Sequence, residues 1–186
     1  MNTLPNLTFV LGGERSGKSS FTEQRAREIG DHVIYCATAV VMDEDMRNRV
    51  ALHQARRPQA WRTVEAPRRV AEKLRAALEE NPADCVLLDC LSVLTSNALL
   101  NMRENINEKA AYDALCEQEL NALLKLIADF PETHWLIVSN EVGMDVVPAY
   151  QLGRTYRDVL GRANQFFAAA ASEVYFLVAG IPMKIK

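Results

Sequence analysis

Residues 12–19 read Gly-Gly-Glu-Arg-Ser-Gly-Lys-Ser and fit the pattern G-x-x-x-x-G-K-[ST]. Each residue type has a physical job in holding a phosphate chain. Gly12, Gly13 and Gly17 leave room for backbone N–H groups to converge on an anion without side-chain obstruction. Lys18 supplies a point charge for the β- and γ-phosphates, and the Ser19 hydroxyl is a ligand for Mg²⁺. Glu14, Arg15 and Ser16 complete the loop. From average residue frequencies, a chance match in a chain this long is roughly one in a hundred. The flanking sequence lowers that figure. The apolar run LTFVLG (7–12) precedes the loop, and a helical pattern over 18–29 follows it. The stretch therefore reads as a nucleotide-binding loop whose helix turns its positive end toward the phosphates.

Other residues carry possible chemistry around that loop. Asp89 ends CVLLD, a run of apolar residues closed by a carboxylate. In a parallel sheet such an aspartate stands at the carboxyl edge, beside the phosphate loop, where it can hold Mg²⁺ with Ser19. On the helical pattern at 43–57, Arg49, His53 and Arg56 or Arg57 share one face. Positive neighbours disfavour imidazolium, and a neutral imidazole is a nucleophile. The same spacing also suits a solvated basic patch, or a partly buried histidine on the stripe with Met46 and Val50. Glu65, in WRTVEA, can accept two hydrogen bonds from a guanine edge, a donor pair adenine lacks, but the residue alone reads better as an ordinary loop or surface glutamate. SNEVGMDVVP (139–148) is a strand-end loop carrying Glu141 and Gly143. GRTYRDVLGRANQ (153–165) spaces Arg154 and Asp158 for an i,i+4 ion pair, then places Asn164 and Gln165 on a polar stripe.

The elements that must position these groups alternate. Strands are predicted at 7–12, 32–38, 61–66, 84–91, 134–143 and 173–180, and helices at 18–29, 43–57, 67–80, 92–101, 107–129 and 149–171. PMKIK (182–186) follows as a candidate antiparallel edge. Alternation of this kind implies a largely parallel sheet covered by helices on both faces; the strand order is open. No repeat, low-complexity tract or composition break divides the 186 residues, so one nucleotide-binding domain over 1–186 is expected. A net charge of −3 and few aromatics argue against a nucleic-acid partner or a membrane surface. No apolar run is long enough to span a bilayer, and the N-terminus lacks the pattern of a signal peptide. Cys36, Cys85, Cys90 and Cys116 form no C-x-x-C pair and read as thiols of a cytoplasmic protein. The loop alone leaves the reaction open among a small-molecule kinase, a motor and a DNA-dependent ATPase.

The combination is more specific than its parts. GGERSGKS, the strand ending CATA, DEDMRNRVALHQARRP, WRTVEAP, LLDCLSVLTSN, VSNEVGMDVVP and GRTYRDVLGRANQ occur in this order. Over nearly the whole chain they resemble the bifunctional adenosylcobinamide kinase / adenosylcobinamide-phosphate guanylyltransferase family of cobalamin biosynthesis. The resemblance implies a RecA-like P-loop fold, a homotrimer and two reactions. The first phosphorylates the hydroxyl of the aminopropanol arm of adenosylcobinamide with ATP or GTP. The second passes GMP from GTP to that phosphate through a GMP–histidine intermediate, releasing pyrophosphate. The family's nucleophile matches His53. Its nucleotide contacts match Gly12 to Ser19, Ala37, Thr38 and Ala39, Gln54, Ala55, Arg56 and Arg57, Glu65 and Asp89. Some relatives carry two adjacent histidines where this chain has Leu52-His53, which leaves His53 as the nearby candidate.

Overall fold

The computed structural model describes residues 3–40, 58–100, 102 and 107–186. The expected helix 43–57, with His53, Gln54, Ala55, Arg56 and Arg57, lies outside the described residues.

Apolar runs become strands buried on both faces. β1 (Leu4–Gly12), β2 (Val33–Ala37), β4 (Cys85–Asp89) and β5 (His134–Asn140) are buried along most of their lengths. Side chains alternate between two cores, as a period of two requires. Phe9, Ile34, Cys36, Val86, Leu88, Trp135 and Ile137 face one core, whereas Val33, Tyr35, Cys85, Leu87, Leu136 and Val138 face the other. Helix α1 (Lys18–Ile29) covers the second face through Ala26 and Ile29. The first face is covered by α2 (Val70–Glu80), α3 (Leu91–Leu100), α4 (Glu108–Leu115), α5 (Asn121–Asp129) and α6 (Gln151–Ala170). β3 (Arg62–Glu65), β6 (Ala171–Val178) and β7 (Ile181–Lys184) complete seven strands in the order β3-β2-β4-β5-β1-β6-β7. Among the described residues every pairing is parallel except β6 with β7. The expected class, a mostly parallel α/β sheet closed by an antiparallel C-terminal edge, is the one found. No helix among the described residues is long and apolar enough to cross a membrane.

Most element bounds shift from expectation by a few residues, and two of the differences meet at one residue. The stretch 107–129 is not a uniform helix: a π-helical turn, Cys116–Leu120, separates α4 from α5. That wide turn carries Glu119, which is buried and accepts hydrogen bonds from Arg69 N at 2.6 Å and Val70 N at 3.1 Å. α2 has no side-chain cap of its own, and Arg69 before it holds a positive φ of 56°. Glu119 therefore caps α2 from another element, and the helix starts at Val70 rather than 67. A carboxylate on two free N–H groups at the positive end of a helix is stabilising by about 1 kcal/mol.

Candidate active site

In a parallel sheet the carboxyl ends of the strands open onto a crevice. Here Gly12, Ala37, Glu65, Asp89 and Asn140 end their strands there. Ala37 is paired laterally with Glu65 on one side and Asp89 on the other; Asp89 pairs with Val138, and Gly12 with Asn140. At strand spacing, Glu65 and Asp89 stand about 10 Å apart, and β5 separates Asp89 from the phosphate loop by a similar step.

The loop 12–19 is held tightly. A Cβ on Gly12 would lie 2.5 Å from Ser16 Oγ and 2.7 Å from Leu177 O, so no larger residue fits. Gly17 takes φ 95° directly before α1, and Arg15 takes φ 57°. Successive N–H groups at these angles curl around a concave centre. The β6–β7 turn supports the loop from outside. Gly180 N donates to Ser16 O at 2.9 Å, and a Cβ on Gly17 would lie 3.0 Å from Gly180 Cα. Lys18 is buried and folds back over the loop, donating from Nζ to Gly13 O at 2.6 Å. Burial lowers its pKa below the usual lysine value, and Glu14, Cys90 and Asp89 pull it back up. An anion in the loop would replace that carbonyl contact with a full charge pair.

Asp89 is oriented from the adjacent strand: Tyr35 donates its hydroxyl to Asp89 Oδ2 at 2.7 Å. One fixed carboxylate and the Ser19 hydroxyl at the start of α1 are hard oxygen donors, the set that suits Mg²⁺. Thr38 locks the ends of β2 and β4 together. Its Oγ1 donates to Cys90 O at 2.9 Å and accepts from Cys90 N at 2.8 Å. Asn97 on α3 then donates to Thr38 O at 2.8 Å and Pro67 O at 3.0 Å, which ties the β2-end loop to the segment after Glu65. Glu65 itself is exposed, while its carbonyl accepts from Lys73 Nζ at 2.8 Å.

The fold thus gathers Gly12 to Ser19, Ala37 to Ala39, Glu65 and Asp89 at one edge. Sequence reasoning missed Tyr35, Asn97 and Gly180. Gly180 had a signal, since Ala-Gly between two apolar runs suits a tight hairpin, and Ala179 and Gly180 both hold positive φ. The other two had none, because their partners are distant in sequence. The expected Arg154–Asp158 pair is replaced by other contacts. Arg154 donates to Pro148 O and Ala149 O, and Asp158 lies 3.5 Å from Arg157 Nε. Asn164 is not on a solvated stripe: it is buried, accepts from Ser139 Oγ at 2.7 Å and donates to Asn140 O at 3.1 Å. The four cysteines are free thiols, and burial pushes Cys36 and Cys85 up to about 12.

The sheet order, the glycine loop on β1 and the carboxylate on β4 define a RecA-like P-loop NTPase fold, a nucleotide-binding class. The ATPase from the type III secretion system of pathogenic bacteria superposes on it with a TM-score of 0.52 at 12% identity, over 94% of this chain and 52% of that one; this likeness concerns the fold alone. Within that class the sequence is decisive. Residues 8–185 match the family model described as cobinamide kinase / cobinamide phosphate guanyltransferase, and the chain belongs to that family of enzymes. It is 40% identical to the bifunctional adenosylcobalamin biosynthesis protein CobU of Escherichia coli (strain K12), covering 97% of this chain and 99% of the relative. It is 41% identical to the bifunctional adenosylcobalamin biosynthesis protein CobP of Pseudomonas aeruginosa, covering 95% of each.

Proposed function

We propose that the chain phosphorylates adenosylcobinamide with ATP or GTP and then transfers GMP from GTP to adenosylcobinamide phosphate, giving adenosylcobinamide-GDP and pyrophosphate. The observation that carries this reading is full-length membership of a family whose description names both activities, joined to an intact phosphate loop. In the first step the substrate hydroxyl oxygen attacks the γ-phosphorus, the bond to the β–γ bridging oxygen breaks, and the nucleoside diphosphate leaves as the hydroxyl loses its proton. Lys18 and the N–H groups of residues 12–19 bind the phosphates and offset the charge that develops on them. Ser19 and Asp89 would hold Mg²⁺, which neutralises phosphate charge when bound. In the second step a ring nitrogen of His53 attacks the α-phosphorus and pyrophosphate leaves. The substrate phosphate oxygen then attacks that phosphorus and breaks the P–N bond. Ala37, Thr38, Ala39, Gln54, Ala55, Arg56 and Arg57 complete the nucleotide contacts, and Glu65 accepts from the guanine N1–H and 2-amino groups. The role of His53 rests on its match in sequence. We further read the whole of 1–186 as one nucleotide-binding domain acting in the cytoplasm as a homotrimer, as the resemblance implies.

The test is incubation with Mg²⁺ and GTP labelled at the α-phosphate, then denaturation and peptide mass analysis. A GMP adduct on His53, labile in acid and stable in alkali, is expected. Bound GTP without an adduct would remove the guanylyl half and leave a plain P-loop kinase.

A further inference from the structure

α6 reaches beyond the sheet. Its lower part runs down the face of β1, where Phe167 packs on Phe9 with ring centroids 6.0 Å apart, and its end leads into Ala171, paired with Leu4. Asn164 stands level with the end of β5, bonded to Ser139 and Asn140. From Asn164 back to Gln151 is about 20 Å of helix at 1.5 Å per residue, standing past the strand ends on the side of the phosphate loop.

A cavity of about 200 Å³ opens there between α3 and α6, lined by Ser96, Leu99, Leu100, Leu152, Gly153 and Tyr156. None of these carries a formal charge at neutral pH. Tyr150 also lines it and, like Leu152, is more than half exposed, and the loop before them holds Met144 and Val146 in solvent at 82% and 84% exposure. Several large apolar side chains left in solvent within one short segment mark a candidate binding surface. The cavity is joined to the nucleotide corner: Tyr156 donates its hydroxyl to Ser92 O at 3.3 Å, and Ser92 lies three residues past Asp89 with its Oγ 2.9 Å from Cys90 Sγ.

We propose that this cavity and its apolar rim hold the corrin macrocycle of the acceptor substrate, with one edge of the ring in the cavity and the hydroxyl arm reaching along α3 toward Asp89 and Lys18. The proposal rests on the functional reading above. It commits to the macrocycle for two reasons. The cobinamide named by the family is a broad, largely uncharged ring, which suits a lining without formal charge. The reacting hydroxyl must also reach the γ-phosphate, and the cavity is joined to that corner through Ser92 and Cys90. The ring is larger than the cavity, so the rim residues carry the remainder of its face.

The experiment measures the kinase step with adenosylcobinamide as varied substrate, for the full chain and two variants. Ser96→Leu fills the cavity, and Leu152→Glu sets a charge on its rim. Each variant is expected to raise KM for adenosylcobinamide about tenfold, a change of 1.4 kcal/mol, with GTP affinity unchanged as the control for folding. Wild-type KM in both variants would overturn the proposal. A changed oligomer mass by light scattering with unchanged KM would overturn it too and assign the surface to contact between copies of this chain. If the unmodified protein binds GTP yet does not phosphorylate adenosylcobinamide, the functional reading itself fails, whatever the variants do.

Discussion

The two ends of the sheet treat their polar groups in opposite ways. At the amino end several are consumed within the protein, although the buried Trp135 Nε1 there has no hydrogen-bond partner among the described residues. Asn6 Nδ2 donates to Ile127 O, Phe130 O and Thr133 O, and Thr133 Oγ1 donates to Ala83 O. Asp84 Oδ2 accepts from His32 N, and His134 Nε2 lies 3.0 Å from Thr8 Oγ1. At the carboxyl end groups are aimed but not exhausted. Lys18 makes its short contact to a backbone carbonyl, a partner without formal charge. Asp89 is held through Oδ2 by one hydroxyl, and the loop N–H groups curl around a concave centre. A buried polar group that is fully paired supports the fold. A buried charge on a neutral partner gains more from a ligand of opposite sign.

Substitutions at the two ends should therefore fail differently. The largest effect belongs to Lys18→Ala, expected to lower kcat of the phosphoryl-transfer step about 10²–10³-fold, the usual cost of removing a preorganised charge partner. The melting temperature should barely move, since the change also removes a buried charge; single-turnover kinetics and calorimetry on the same sample check both. At the opposite end Asn6→Ala should do the reverse. Stability falls by about 1–3 kcal/mol as three carbonyls lose a donor, while kcat/KM measured well below the melting temperature stays within twofold. A large activity loss in folded Asn6→Ala would break the comparison.

Gly17→Ala comes next. The left-handed φ of 95° costs a non-glycine residue about 1–2 kcal/mol, and the new Cβ would lie 3.0 Å from Gly180 Cα. Nucleotide affinity by titration calorimetry should weaken more than stability does, because the loop moves before the sheet does. The smallest effect is that of His134. Burial, and then the charge of Arg25, hold its pKa below the usual histidine value against the pull of Glu173. The unfolded chain therefore takes up a proton first, near pH 6.5. The stability that His134 contributes is present above that pH and lost as pH falls through its lower folded value. Urea midpoints between pH 7.5 and 5 should decline more steeply for the wild type than for His134→Gln. Equal slopes would show that the histidine is not buried in neutral form.

Local chemistry settled much of this protein in advance. The apolar runs, the glycine loop and α1 over residues 18–29 were legible because each depends on neighbours in sequence: periodicity, a glycine at a positive φ, a helix start. So was the placement of Lys18, Ser19 and Asp89, since a loop after a strand and a carboxylate at a strand end reach the same edge in any parallel sheet. Tertiary structure decided the rest. The order β3-β2-β4-β5-β1-β6-β7 sets which strand ends are neighbours, and no periodicity encodes a pairing between distant segments. It brought Tyr35 to Asp89, Asn97 to Thr38 and Pro67, Gly180 to the phosphate loop, and Glu119 to the start of α2. In each case a donor meets an acceptor far along the chain, and only the closed fold supplies that proximity.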